Sequence, residues 1–198
     1  MATRRSTARS ERTRRRIVSA AAAAFREQGI EGVGVRDIMK RAGLTQGGFY
    51  YHFPNKEELF KEASREAALG GLANCLAVAD SAPRGKQLQA FIDAYLSREH
   101  RDDHGGGCMV SALCGEVGRG GARQRAAFNS AVDLILERVG AYVSGDTSLE
   151  RRQKAGLLMA SMAGVLMVSR ALVDPKSSQR LLANARRFFS ASFGEVRT

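Results

Sequence analysis

Between residues 45 and 56 the chain places Thr45, Gln46, Gly47, Gly48, Tyr50, Tyr51, His52 and Lys56, and no carboxylate. Amide, hydroxyl and imidazole groups beside one cation suit contact with a nucleic acid better than they suit breaking a bond. The Gln46 amide can pair with the N6/N7 edge of an adenine in the major groove. Gly47 and Gly48 let a backbone approach a duplex closely. Thr45, Tyr50, Tyr51 and His52 carry donors that can reach phosphates or base edges. Lys56 stands at the expected start of a helix, where a cation opposes the helix dipole, so a facing phosphate would justify it. Each of these residues has a plainer alternative as a packing or surface group.

Charge points the same way. Residues 1–53 hold eleven Lys and Arg against four acids, a balance of +7 out of the chain's +11, and the other 145 residues carry only +4. A basic N-terminal quarter on a nearly balanced body calls for a polyanionic partner there. The run Arg4 to Arg16, Arg14 included, is expected to add phosphate or minor-groove contacts. A non-specific DNA-compacting protein would instead spread its charge and lack an ordered motif. The same run followed by Ile17 to Phe25 has the outline of a secretory leader. The apolar part is mostly Ala, however, and ends in Arg26-Glu27 with no clear cleavage region.

A second group of reactive side chains is His100, His104 and Cys108, spaced four residues apart. On one helix they would share a face able to hold a metal. Gly105-Gly106-Gly107 interrupts them, so no metal site and no cofactor is expected. Cys108 follows Gly107 at an expected helix start, where the dipole can lower a thiol pKa, which makes it a candidate redox or electrophile sensor. The alternative is a buried Cys acting as a small apolar residue. Three Cys make a disulfide framework improbable and fit a reducing cytoplasm. No nucleophile–base pair, phosphate loop or supported carboxylate pair appears, so an enzyme is not expected.

The elements that must position these groups read as helices. The 44% apolar content fits a globular chain. Ile17, Ala20, Ala21, Ala24 and Phe25 mark one helical face, predicting a helix from about Ser10 to Gln28 that Gly29 ends. Val35, Ile38, Met39 and Ala42 give a short second helix ended by Gly43. A third starts at Thr45, whose hydroxyl can cap it, and stops before Pro54. Asn55 with Glu58 approximates a capping box opening a fourth helix, expected to reach about Ala79. Leu88 to Leu96 is a fifth, Arg101 to Gly107 a polar connection, and Cys108 to Val117 a sixth. Three longer helices follow, carrying Phe128 to Val139, Leu149 to Val173, and Leu181 to Ser192. The uncharged stretch 155–169 is too short to cross a bilayer, so no membrane partner is expected. No segment shows strand alternation.

Val35 to His52 is therefore two short helices joined by a tight turn, a helix-turn-helix arrangement packed by Ile38, Ala42, Leu44 and Phe49. The ordered run Ile17 to Phe25, Gly29, Asp37-Ile38, Arg41 to Thr45, Gly48 to Phe53 and Asn55 to Leu59 closely resembles the DNA-binding domain of the TetR family of bacterial transcriptional regulators. The resemblance covers about a quarter of the chain. Gly34 departs from the usual Ser or Thr before the second helix, and Gln46 stands where many members have Lys or Arg.

The resemblance implies an all-α protein. Residues 1–9 would be a basic disordered arm, 10–54 a helix-turn-helix DNA-binding domain, and 55–198 a helical effector-binding and dimerisation domain. It favours Tyr50 for a phosphate and Tyr51 for the groove or backbone. It implies a homodimer on a palindromic double-stranded DNA operator, usually as a repressor, joined through its last two helices. The helix 149–173, apolar nearly all round, must be buried on every side, either by one monomeric core or by its own core and a partner helix. Leu157, Ala160, Gly164, Met167, Val168, Leu181, Phe188 and Phe189 are the candidates for that interface. It also implies a small-molecule effector inside the bundle, for which Phe60, Phe91, Tyr95, Met109, Phe128, Met159 and Met162 offer an apolar, adaptable lining.

Overall fold

The computed structural model describes residues 2–194, and among these it is built of eleven α-helices and one 3-10 turn without a strand. The first helix, α1, spans Ala2–Gln28. It starts well before Ser10, so the arm expected to be disordered is helical from Ala2 onward. No Gly or Pro precedes Gly29 to stop it, and Ala and Arg favour a helix. The Thr13 hydroxyl also returns to the Arg9 carbonyl at 3.1 Å. Met1 and residues 195–198, which belong to the expected first and last segments, lie outside the described residues.

Ile17, Ala21, Ala24 and Phe25 are buried as their spacing predicts. α2 (Val35–Arg41) and α3 (Phe49–His52) follow, with a 3-10 turn at Gln46–Gly48 between them. Thr45 precedes that turn in extended conformation, but its side chain makes no capping bond.

α4 spans Lys56–Gly70, and Asn55 caps it by accepting the Glu58 N–H at 2.9 Å. The helix does not reach Ala79. It breaks at Gly71, and α5 (Ala73–Ser81) begins after it. A Cβ at Gly71 would lie 2.3 Å from the Gly107 carbonyl oxygen, so the break sits where another backbone segment presses on the helix. α6 is Gln87–Tyr95. α7 (Arg98–Asp102) occupies part of the expected connection, because Ser97 caps it by accepting the His100 N–H at 3.1 Å. α8 (Met109–Arg119), α9 (Ala122–Gly140), α10 (Ser148–Ala171) and α11 (Pro175–Phe193) complete the chain. Asp174 caps α11 through the Lys176 and Ser177 N–H groups.

One apolar cluster runs from Ile17 to Phe189. α4 packs on α1 at one side and on α9 at the other, so it joins the helix-turn-helix to the bundle. α10 packs on α8, α9 and α11, and α11 also meets α6. α10 is not buried all round within the chain. Ala155, Leu158, Met159, Met162 and Leu166 face the core, whereas Leu157 and Val168 are more than half exposed. By length and composition α10 is the one helix among the described residues that could cross a membrane. The core-facing residues that pack it against other helices account for much of its apolarity.

Candidate nucleic-acid interface

Phe49 and Phe53 anchor the recognition segment. Both are fully buried and their rings stack 5.9 Å apart. Ile38, Met39 and Ala42 close the core beneath them. Gly43, at φ +67°, reverses the chain between α2 and the 3-10 turn, a conformation that disfavours any side chain. Phe49 and Phe53, four residues apart, pin one side of the segment inward, and the other side turns outward. Thr45, Gln46 and Gly47 are exposed, and Tyr50 and Tyr51 expose 69% and 79% of their surface. Tyrosines that open to solvent beside a buried Phe pair are poised for contact rather than packing. Nothing lies within 4 Å of a Cβ placed at Gly47, so a ligand backbone can come close there.

His52 is half-buried, with its ring 5.0 Å from Tyr51. Burial and then the Arg14 charge push its pKa down, so at neutral pH it serves as a neutral donor and acceptor. Lys56 is half-buried in the first turn of α4. Gly48 is half-buried at the end of the 3-10 turn.

Arg14 is placed differently from its expected role at phosphate. It donates to the His52 carbonyl, pairs with the Glu62 carboxylate through both Nε and Nη2, and lies 4.0 Å over the Phe53 ring. Its guanidinium is thus held within the domain, tying α1 to α3 and α4. The partners His52 and Glu62 lie far along the chain, which is why spacing within α1 could not reveal them. Arg16 likewise donates to the Ala42 carbonyl at 2.6 Å, and Arg41 pairs with Glu27. Arg9, Arg12, Arg15, Arg36 and Lys40 are exposed. In the sequence the last two stand out only as part of the basic N-terminal quarter. Their signal was two bases four apart on a short helix just ahead of the recognition turn.

Comparison with known proteins bears on this geometry. Residues 17–63 match the family model described as "Bacterial regulatory proteins, tetR family". The HTH-type transcriptional regulator LmrA of Bacillus subtilis is 37% identical over 84 residues, 40% of this chain and 44% of that protein. The HTH-type transcriptional repressor KstR2 of Mycolicibacterium smegmatis is 32% identical over 88 residues, 43% of this chain and 42% of that one. These matches span less than half the length of either relative. A TetR transcriptional regulator from Chloroflexus aurantiacus superposes with a TM-score of 0.71 at 25% identity, covering 92% of this chain and 96% of its own.

Residues 17–63 carry the DNA-binding domain of the TetR family. The matched region takes in α2, the 3-10 turn and α3, the segment that presents Tyr50 and Tyr51, and runs on into α4.

The family's effector lining was expected at seven residues. Phe91, Tyr95, Met109 and Met162 are fully buried, Phe60 and Met159 nearly so, and Phe128 is half-buried. Phe91, Tyr95 and His100 follow one another at ring distances of 6.0 and 4.7 Å. Phe60 instead meets Phe25 of α1 edge-on at 5.5 Å, at the joint between α1 and α4. Four surface clefts, of about 280 to 650 Å³, are lined by other residues. Of the dimer candidates, Leu157, Ala160, Gly164, Met167, Val168 and Phe188 are exposed and Leu181 is half-buried. Phe189 instead belongs to the core cluster, at 7% exposure, with its ring 5.7 Å from Phe188 and 6.3 Å from Phe193.

Cys108 is the N-cap of α8, but it is buried, and burial pushes its thiol pKa up despite the Tyr95 and backbone contacts that pull it down. The expected lowering by the helix dipole is outweighed, and the thiol-sensor alternative loses its chemical basis. Burial pushes the Cys75 thiol up to about 12. His100 does not share a face with His104, which is exposed beyond the end of α7. Its Nε2 accepts the Cys108 N–H at 3.1 Å, which leaves the ring proton on Nδ1, 3.1 Å from Cys75 Sγ.

Proposed function

We propose that the protein is a sequence-specific transcriptional regulator that binds a palindromic DNA operator as a homodimer. The observation that carries this reading is the outward-facing row Thr45, Gln46, Tyr50 and Tyr51 on a turn anchored by buried Phe49 and Phe53. Gln46 reads a base edge, Tyr50 and Lys56 hold phosphates, and Tyr51 and His52 lie against the groove or backbone. Exposed Arg9, Arg12 and Arg15 on α1 add sequence-independent attraction.

One short helix reads too few base pairs for a genomic address, and two-fold pairing doubles the site. The exposed apolar face of α10 and α11 supports that pairing, with Leu157, Val168 and Phe188 at its centre. Repression is the reading we favour, because one relative, KstR2 of Mycolicibacterium smegmatis, is a transcriptional repressor and because occupancy of an operator blocks polymerase by exclusion. The effector is an apolar small molecule entering between Phe91, Tyr95, Met109, Met159 and Met162. These side chains are buried, so a ligand must part them to enter. α4, wedged between α1 and α9, passes the movement to the recognition helices. A ligand that prefers the spread state releases DNA to the extent of that preference. Such a protein works in the cytoplasm.

The test is a footprint on the DNA flanking the protein's own gene, at about 0.15 M salt with excess competitor, where non-specific binding is weak. A protected palindrome is expected. Protection that competitor removes everywhere would contradict the reading.

A further inference from the structure

We propose that Glu116 is a positioning residue whose carboxylate fixes the orientation of the helix-turn-helix on the bundle, and so sets the half-site spacing the dimer accepts. Glu116 lies in α8, far in sequence from the DNA-binding segment. Its Oε2 accepts the Ile30 N–H at 2.8 Å and its Oε1 accepts the Glu31 N–H at 2.8 Å. Both donors stand just past the C-terminus of α1, in the turn that leads to α2. The C-terminal end of a helix carries partial negative charge, so a carboxylate gains nothing there from the dipole. The two N–H groups are what hold it, as charge-assisted bonds.

The turn is shaped to receive the carboxylate. Gly29 adopts φ +81°, and a Cβ at that position would lie 2.7 Å from Glu116 Oε2. The clasp therefore closes only over glycine. Ile30 and Val33, each 2% exposed, seat the turn in the core. A second tie runs in parallel: Arg26 of α1 donates from Nε to the Gly105 carbonyl at 2.6 Å, in the loop that leads into α8. At its other side α8 is held to α10, where Arg170 donates from Nη1 to the Ser111 hydroxyl at 3.3 Å. A continuous series of contacts thus joins the helix bearing the exposed apolar face to the turn that aims α2 and the recognition segment. The proposal rests on the dimeric operator reading above.

The experiment uses the full-length protein and its Glu116→Ala and Glu116→Gln variants, with hydrogen exchange and DNA binding read side by side. In Glu116→Ala the Ile30 and Glu31 amides are expected to exchange about tenfold faster or more, while those of Ala21 to Phe25 do not change. Glu116→Gln keeps one acceptor oxygen and should lie between; it carries the test if the alanine variant fails to fold. DNA binding is measured on palindromes whose centre is lengthened or shortened by one base pair. The native protein should prefer one spacing. The variants should lose about tenfold at that spacing and much of the preference, with affinity for unrelated DNA unchanged. Faster exchange with an intact spacing preference would overturn the positioning role, and unchanged exchange would overturn the clasp itself. A native protein indifferent to spacing would overturn the dimeric reading, and this proposal with it, whatever the amides show.

Discussion

The recognition segment and the apolar face of the last two helices are both exposed, and they are built on opposite plans. Tyr50 and Tyr51 stand on a helix of four residues that follows a 3-10 turn with two glycines. Leu157, Val168 and Phe188 stand on helices of 24 and 19 residues. The first surface offers donors on a short backbone that can adjust to a hydrated polyanion. The second offers carbon on a long, rigid backbone, which suits a second rigid apolar surface that must exclude water. An exposed aromatic ring therefore carries a different meaning in the two places. In the proposed reading the hydroxyl is the working group on the recognition turn, and the ring itself is on α11.

The largest effect on DNA binding should come from the apolar face. Phe188→Glu puts a charge at its centre without touching the core, since Phe188 is 65% exposed. Sedimentation should show monomers with native helix content, and operator affinity should fall on the order of 100-fold as one half-site is lost. A dimer that survives this change would move the interface elsewhere.

A second prediction concerns the interior that divides the two surfaces. Burial foremost, then the Arg170 charge, pushes His100 down to about 4, with Asp103 opposing. In the unfolded chain its pKa is about 6.5, so the unfolded state binds a proton that the fold resists. Stability from this group is complete above about pH 6.5 and declines as pH falls from there towards 4, by on the order of 3 kcal/mol in all. Denaturation midpoints across that range check it, and His100→Asn should remove this part of the slope.

On the recognition side the effects are smaller and of a different kind. Gln46→Ala should leave the fold intact and cost about 1–3 kcal/mol of discrimination at one base pair, seen as relaxed preference there in a binding selection. Arg14→Ala should do the reverse. Its pairing with Glu62 is more than a third exposed, so the expected loss is about 1 kcal/mol of stability, with the salt dependence of DNA binding little changed. A salt slope lower by about one would return Arg14 to the phosphate backbone.

These contrasts follow what could be read along the chain. The helix-turn-helix was legible because its determinants are local. Ile38, Ala42, Gly43 and Phe49 sit within a dozen residues, and their spacing alone sets which side faces in. The capping of α4 by Asn55 was local too. The end of α4 was not, because the Gly107 carbonyl presses on Gly71 from a distant loop. The same holds for Arg14, whose partners were hidden by chain separation, and for Glu116, which bonds backbone groups 85 and 86 residues away. Cys108 shows a competition between two effects. Its place at a helix start was correct, but the burial that reverses the expected pKa shift comes from other helices. α7 was missed because five residues give too little periodicity to see.

The central claim is that this chain reads DNA sequence as a pair. The most direct measurement is selection of bound fragments from a random duplex pool by the purified protein, with the mass of the recovered complex determined alongside. The account predicts an enriched palindrome with half-sites about one helical turn apart and two chains on each duplex. Recovery of no enriched sequence, or of one asymmetric half-site holding a single chain, would contradict it.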